Sequence, residues 1–142
     1  MNPIGSPVDG VGGTVDGTVK VVGETERRTT RTPAAAMFGL AAPSQGSAEV
    51  STWRVEINAG AATPVHIIDR EQVWMPLSGE FEVVVDDRSG RVGAGQAVIL
   101  PAGAVRRLAA VGGPAAALVA MAVGGRARMP GGEETVPLPW AE

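Results

Sequence analysis

The sequence predicts an all-β domain, an antiparallel β-barrel or jelly roll that follows an N-terminal arm. From residue 48 onward, apolar and polar residues alternate in short runs separated by turn residues, and no long helical period competes with this pattern. The length of 142 residues fits a single domain. We expect residues 1–32 to form a flexible or strand-exchanging arm, residues 33–125 the barrel, and residues 126–142 a tail that packs on it.

The strands of the barrel follow from period-two alternation. In residues 51–57, Trp53, Val55 and Ile57 share one face, while the intervening residues are polar. Further strands are predicted at 72–77, 81–85, 97–100, 105–108 and 115–123, with a hairpin turn at 86–90. Evenly spaced short strands of this kind are typical of a sandwich or barrel.

The two ends of the chain differ from the middle in composition. Residues 1–32 carry six Gly and two Pro, with one short strand-like run at 18–22. This composition is typical of a flexible segment, and the alternative is a strand that pairs with the barrel or with a second subunit. The tail at 129–142 is rich in Pro and Gly. We expect it to wrap the outside of the barrel, with Trp140 as its large anchor.

Composition and charge exclude several classes of function. The net charge is −3, and eleven Arg and one Lys are scattered without a basic face, so nucleic-acid binding is not indicated. The sequence shows neither a membrane-spanning apolar run nor an export signal, so we expect a cytoplasmic protein. Because the chain has no Cys, any catalysis must use His, carboxylate, Arg or hydroxyl groups.

The most informative segment is residues 60–79, which contains the only histidine of the chain, His66. Alternation places His66 and Ile68 on one side of a strand, and Gln72 and Trp74 on one side of the next strand. An imidazole, an amide and an indole are therefore expected to converge inside the barrel.

The sequence contains two glycine-containing motifs, one over this segment and one further along the chain. The matching positions are Gly60, His66 and Gly79 in the first motif, and Gly95, Pro101 and Gly103 in the second. In order and spacing these residues resemble the two motifs of the cupin superfamily, over about residues 48–124. The resemblance implies a cupin-type antiparallel barrel that holds a small molecule.

The resemblance also implies a metal site, from which this sequence departs. The family's metal is held by two His and a Glu of the first motif and a His of the second, and here those positions are His66, Ile68, Gln72 and Arg106. Ile68 cannot ligate, and the charge of Arg106 repels a divalent cation. Since catalytic metal sites typically have about three protein ligands, we expect no tightly bound metal and no other cofactor. Loose binding of a divalent metal through His66 and Gln72 stays open.

Without a metal, these positions favour acid/base chemistry. Arg106 is a fork-shaped receptor for an anion, and we expect it to clamp an anionic or carbonyl-bearing substrate. His66 would act as general acid or base, with Gln72 orienting the substrate or the imidazole. A register slip of one residue would instead turn Arg107 inward and Arg106 outward.

The remaining candidates are wall residues of the pocket. Trp53, Trp74 and Ile68 are expected to contact the substrate, and the alternative is that the two indoles serve only the core. His66 and Gln72 also have a structural alternative, in which each only hydrogen-bonds neighbouring backbone.

Three functions follow from this set. The first is an isomerase, epimerase, cyclase or lyase that works without a tightly bound metal, of the kind that the resemblance places in bacterial metabolic or natural-product pathways. The second is a non-catalytic ligand-binding or sensing module, and the third is a metal-dependent dioxygenase or hydrolase with an atypical ligand set. The resemblance further implies a homodimer.

Overall fold

The computed structural model describes residues 13–15 and 19–142, and these residues form an all-β structure as predicted. The strands are β1 (Gly13–Val15), β2 (Val19–Val21), β3 (Thr29–Arg31), β4 (Ala35–Gly39), β5 (Val50–Ile57), β6 (His66–Ile68), β7 (Gln72–Val85), β8 (Arg88–Gly93), β9 (Val98–Leu100), β10 (Val105–Ala122), β11 (Arg126–Arg128) and β12 (Val136–Pro137). Short 3₁₀ turns lie at Glu26–Arg28, Pro43–Gln45 and Pro139–Ala141. Within the described part of the chain, no helix is long and apolar enough to cross a lipid bilayer.

Ten of the strands form one curled antiparallel sheet. Its main path runs β12-β11-β6-β10-β5-β4-β3, while β7 pairs with β10 and also carries β8 and β9. The 18-residue strand β10 is the centre of this sheet, because it pairs with β5, β6 and β7. The curl confirms the predicted antiparallel barrel architecture.

The alternation that predicts the strands is also what builds the core. On β5, Trp53, Val55 and Ile57 are buried and the residues between them are only partly covered. On β10, Ala115, Ala117, Val119 and Met121 are buried in the same alternating way. The predicted strands at 105–108 and 115–123 are two ends of the continuous β10.

The crossing of β7 and β10 requires a glycine. The register between the two strands shifts on either side of Ala116. At this point Gly79 has a φ of 70°, and a Cβ on it would lie 2.4 Å from the main-chain oxygen of Pro114. Because no side chain fits such an approach, Gly79 keeps the two long strands paired on both sides of the irregularity.

The N-terminal segment contributes to two separate sheets. Strand β2 pairs with β1, and Lys20 ties it to the body of the protein through a 2.9 Å hydrogen bond from Nζ to the main-chain oxygen of Gly46. Strand β3 pairs with β4 in the main sheet, so the barrel takes in residues before the predicted boundary at 32/33. The rest of the predicted arm, residues 1–12 and 16–18, lies outside the described residues.

Residues 129–142, which we call the C-terminal strap, follow β11 and close over the barrel. Leu138 and Ala141 are buried, and the side chain of Ser51 donates a 2.6 Å hydrogen bond to the main-chain oxygen of Ala141. The main-chain oxygen of Glu142 accepts hydrogen bonds from Arg28 Nη2 (3.1 Å) and from Ser44 Oγ (2.6 Å). The strap is therefore fixed at its end.

Candidate functional site

A cavity of about 910 Å³ lies inside the curl of the sheet. Its walls are largely apolar and aromatic, and include Met37, Trp53, Val55, Ile68, Trp74, Leu138 and Trp140. The polar side chains on its surface are those of Thr32, Thr63, His66, Gln72, Arg128, Glu133 and Glu134. An apolar cavity of this size with a few polar groups is typical of a site for an organic small molecule.

His66 lies at the start of β6, half-buried, with its side chain on the cavity. Its Nδ1 is 2.7 Å from the main-chain oxygen of Pro64. Because a carbonyl oxygen only accepts hydrogen bonds, Nδ1 carries the proton of the neutral ring and Nε2 is left as the basic nitrogen. No described residue hydrogen-bonds to Nε2. His66 is therefore placed to take a proton from a ligand.

The surroundings of His66 favour its neutral form. Burial lowers the pKa of the imidazole, the bond to Pro64 opposes this effect, and the positive charge of Arg106 lowers the pKa further. The ring is consequently less readily protonated than a histidine in water, and its base form persists to lower pH.

Gln72, at the start of β7, is 3% exposed and has an amide of defined orientation. Its Oε1 accepts hydrogen bonds from Trp74 Nε1 at 3.3 Å and from Arg106 Nη1 at 3.5 Å. Its Nε2 lies 3.5 Å from the sulfur of Met121, which is a weak acceptor. The amide group thus retains N–H capacity for the oxygen of a ligand.

Arg106 lies behind Gln72 rather than among the described residues that line the cavity. Its side chain is 1% exposed, and it donates from Nε to the main-chain oxygen of Ala104 at 3.0 Å and from Nη2 to that of Pro101. Burial lowers the pKa of Arg106, partly offset by the Asp86 carboxylate. A role as anion clamp stays a prediction, while the contacts that we observe connect Arg106 to the site through Gln72.

The inward residue of β10 is Arg106, whereas Arg107 is exposed. Arg106 is the cross-strand partner of His66 on β6 and of Val85 on β7. The register slip that the sequence left open therefore does not occur.

The predicted wall residues lie on the cavity and in the core at once. Trp53 is 2% exposed and Trp74 is 5% exposed, and both line the cavity. Trp74 packs edge-on against Phe81 with ring centres 5.7 Å apart. Ile68 is 1% exposed and also lines the cavity. The structural and ligand-facing interpretations of these side chains are thus compatible.

Sequence reasoning missed the contribution of the C-terminal strap. Leu138, Trp140 and the two neighbouring glutamates Glu133 and Glu134 line the cavity, so the strap forms part of its wall rather than only an outer wrapping. The one available signal is Trp140, the large aromatic residue of a Pro- and Gly-rich tail. Trp140 packs edge-on against Trp53, with ring centres 6.5 Å apart.

The donor set does not fit a catalytic metal ion. Four positions hold the metal in cupins, and of the residues at these positions in this chain only His66 and Gln72 offer a ligand atom. The Oε1 atom of Gln72 already accepts two hydrogen bonds, one of them from a guanidinium. Across residues 13–15 and 19–142 there is no group of three or more His, Asp or Glu side chains that could hold a metal.

Comparison with known proteins finds one family model that matches the middle of the chain. The family model described as a cupin domain matches residues 53–121, which include β6 to β9 and most of β5 and β10. No curated protein matches the sequence.

Solved structures with the same fold include proteins of several kinds. The polyketide cyclase RemF from Streptomyces resistomycificus is 22% identical with a TM-score of 0.58, over 63% of this chain and 66% of that one. A cupin 2 domain-containing protein from Halorhodospira halophila is 23% identical with a TM-score of 0.59, over 66% and 68%. The DMSP lyase DddQ from Ruegeria pomeroyi DSS-3 is 26% identical with a TM-score of 0.55, over 61% and 47%. This chain thus spans just under two thirds of the cyclase and about half of the lyase.

Proposed function

We propose that this chain, whose residues 53–121 match the cupin domain model, is an enzyme that moves protons on a carbonyl-bearing small molecule inside the barrel, without a tightly bound metal. The observation that carries this proposal is the neutral His66, with Nδ1 bound to Pro64 and Nε2 free of described partners in a mostly apolar cavity. A histidine held in this way is suited to act as a general base near neutral pH.

The chemistry follows from the three polar groups. His66 Nε2 takes the proton from a carbon next to the carbonyl, and the electron pair of the broken C–H bond moves onto the carbonyl oxygen. Gln72 Nε2 donates a hydrogen bond to that oxygen, and Arg106 strengthens this donor because it withdraws electron density through Oε1. Arg106 in this scheme is a positioning residue.

The fate of the enolate defines the reaction class. Return of the proton from His66 to another carbon gives an isomer, and protonation of the same carbon on its opposite face gives an epimer. Attack of the enolate carbon on a second carbonyl forms a carbon–carbon bond and closes a ring, and expulsion of a leaving group with its electron pair gives an alkene, as in a lyase. The similarity to a lyase at 26% identity supports this family of reactions, whereas the similarity to the cyclase at 22% identity supports the fold alone.

The experiment that tests the proposal follows deuterium uptake, which reports enolate formation for any of these outcomes. The protein is incubated in D₂O with 2-tetralone, a fused-ring aromatic ketone, and loss of the α-proton signal is followed by NMR after subtraction of the rate in buffer. We expect catalysed exchange that His66→Gln slows on the order of 10²- to 10⁴-fold. Arg107→Gln, a change at an exposed neighbouring position, is expected to leave the rate unchanged.

The same assay separates the alternatives. Elemental analysis precedes it, and we expect less than about a tenth of an equivalent of metal, with exchange that persists after dialysis against a chelator. Exchange that requires stoichiometric metal would favour the metal-dependent enzyme. Binding of the ketone without any exchange would favour the non-catalytic ligand-binding module, which the largely apolar walls of the cavity also support.

A further inference from the structure

We propose that the indole N–H of Trp140 is a hydrogen-bond donor to the ligand, and that the ligand is a fused-ring aromatic compound with carbonyl oxygens on two sides. This inference deepens the proposed function, since it concerns what the same cavity binds. It assigns the C-terminal strap a part in recognition.

The first observation is an unpartnered polar atom. Among the buried side-chain nitrogen and oxygen atoms of the described residues, Nε1 of Trp140 is the one without a hydrogen-bond partner. The corresponding atom of Trp74 is bound to Gln72 Oε1. Leaving a buried N–H unpaired costs free energy, so an acceptor that reaches Trp140 Nε1 gains the hydrogen bond without giving up an existing one.

The second observation is the location of this atom. The ring of Trp140 lines the cavity and packs against Trp53. The next residue, Ala141, is anchored because its main-chain oxygen accepts a hydrogen bond from Ser51. Upstream of this anchor two apolar side chains of the strap are exposed, Val136 at 57% and Met129 at 60%. Because Nε1 itself is buried, a ligand oxygen reaches it only if the indole turns or the strap shifts.

The third observation is the shape and polarity of the walls. Three indoles, Trp53, Trp74 and Trp140, line one cavity of about 910 Å³, and flat aromatic ligands bury large areas against such rings. The amide of Gln72 provides one donor and the indole of Trp140 a second one on the strap. A flat ligand with an acceptor oxygen on each of two sides uses both donors.

The test uses a matched pair of probes, 2-methyl-1,4-naphthoquinone and 2-methylnaphthalene, which differ by the two carbonyl oxygens. The three Trp residues give three indole signals in a ¹⁵N–¹H spectrum, and Trp140→Phe assigns one of them. We expect the quinone to move the Trp140 signal downfield in a saturable manner and the hydrocarbon to bind without this shift. By calorimetry, Trp140→Phe should weaken quinone binding about fivefold and leave hydrocarbon binding unchanged.

The control is Trp53→Phe, which changes an indole in the same wall and should affect the two probes equally. Equal downfield shifts with both probes, equal loss of affinity for both in Trp140→Phe, or the absence of binding by either probe would each overturn the inference. A carbonyl-specific shift at Trp140 together with no deuterium exchange would retain this inference and reject the catalytic proposal.

Discussion

His66 and Gln72 lie on the same cavity with complementary hydrogen-bonding capacity. The imidazole presents an unprotonated nitrogen, because the bond to Pro64 places the ring proton on Nδ1. The amide presents N–H, because Trp74 and Arg106 both donate to its oxygen. A base and a donor held by fixed partners can act on the C–H and the oxygen of one carbonyl compound.

The environment of His66 predicts a pH dependence. Burial lowers the pKa of the imidazole below its ordinary value of 6.5, and a protonated ring cannot accept a proton. The deuterium-exchange rate should therefore rise with pH through one titration with a midpoint below 6.5, fall about tenfold per unit at lower pH, and level off above the midpoint. NMR titration of this histidine should give the same midpoint, and a midpoint at or above 6.5 in either measurement would contradict the assignment of His66 as a desolvated base.

At the scale of elements, β10 organises the site because buried and more open residues alternate at its start, over residues 105–110, and again over residues 115–121. Leu108 and Arg106 are buried, and Arg107 between them is exposed. On the inward face Arg106 holds the turn before β10 through the main-chain oxygens of Pro101 and Ala104, and also contacts Gln72. One side chain thus connects β10, β7 and the loop between β9 and β10.

This connection predicts unequal effects of two adjacent substitutions. Arg106→Met leaves the oxygens of Pro101 and Ala104 without their donors, so we expect it to lower the free energy of unfolding by about 2–4 kcal/mol. Arg107→Met removes only an exposed charge, and we expect a change within about 0.5 kcal/mol. Urea unfolding of the two variants measures the difference, and equal stabilities would show that the contacts of Arg106 do not contribute.

The same elements show what could be predicted from the sequence. His66, Ile68, Gln72 and Trp74 lie on one cavity because strand alternation is local and has a period of two. The hydrogen bonds of the Arg106 guanidinium to main-chain oxygens depend on a loop conformation that no periodicity encodes.

The position of the C-terminal strap could not be predicted from the sequence either. Its Pro- and Gly-rich sequence has no period, and it is held by contacts with residues far away in sequence, such as the bond between Ser51 and Ala141. Trp140 is identifiable as an anchor, but its neighbour Trp53 is defined only once the barrel has closed. The cavity wall that the strap supplies is thus a property of tertiary structure.

At the scale of the whole molecule, the outer face of the sheet carries exposed apolar side chains. Ile99, Met75 and Leu77 are exposed, and the register places Ile99 beside Val73 and Met75 beside Leu118. Exposed apolar side chains that lie side by side can mark an interaction surface. We therefore expect this face, on β7, β9 and β10, to cover the same face of a second copy of the chain.

This interpretation predicts a homodimer that a single charge can dissociate. Light scattering should give a mass about twice the 14.4 kDa of the chain. Ile99→Glu should reduce it to the monomer value, because a carboxylate in the interface loses its hydration without gaining a partner. The side chain at this position is 62% exposed in the single chain, so the fold itself tolerates the change. Val65→Glu, at an exposed apolar position before β6 and outside this face, should leave the dimer intact. A wild-type mass of 14.4 kDa would refute the dimer, whereas a dimer unaffected by Ile99→Glu would move the interface to another surface.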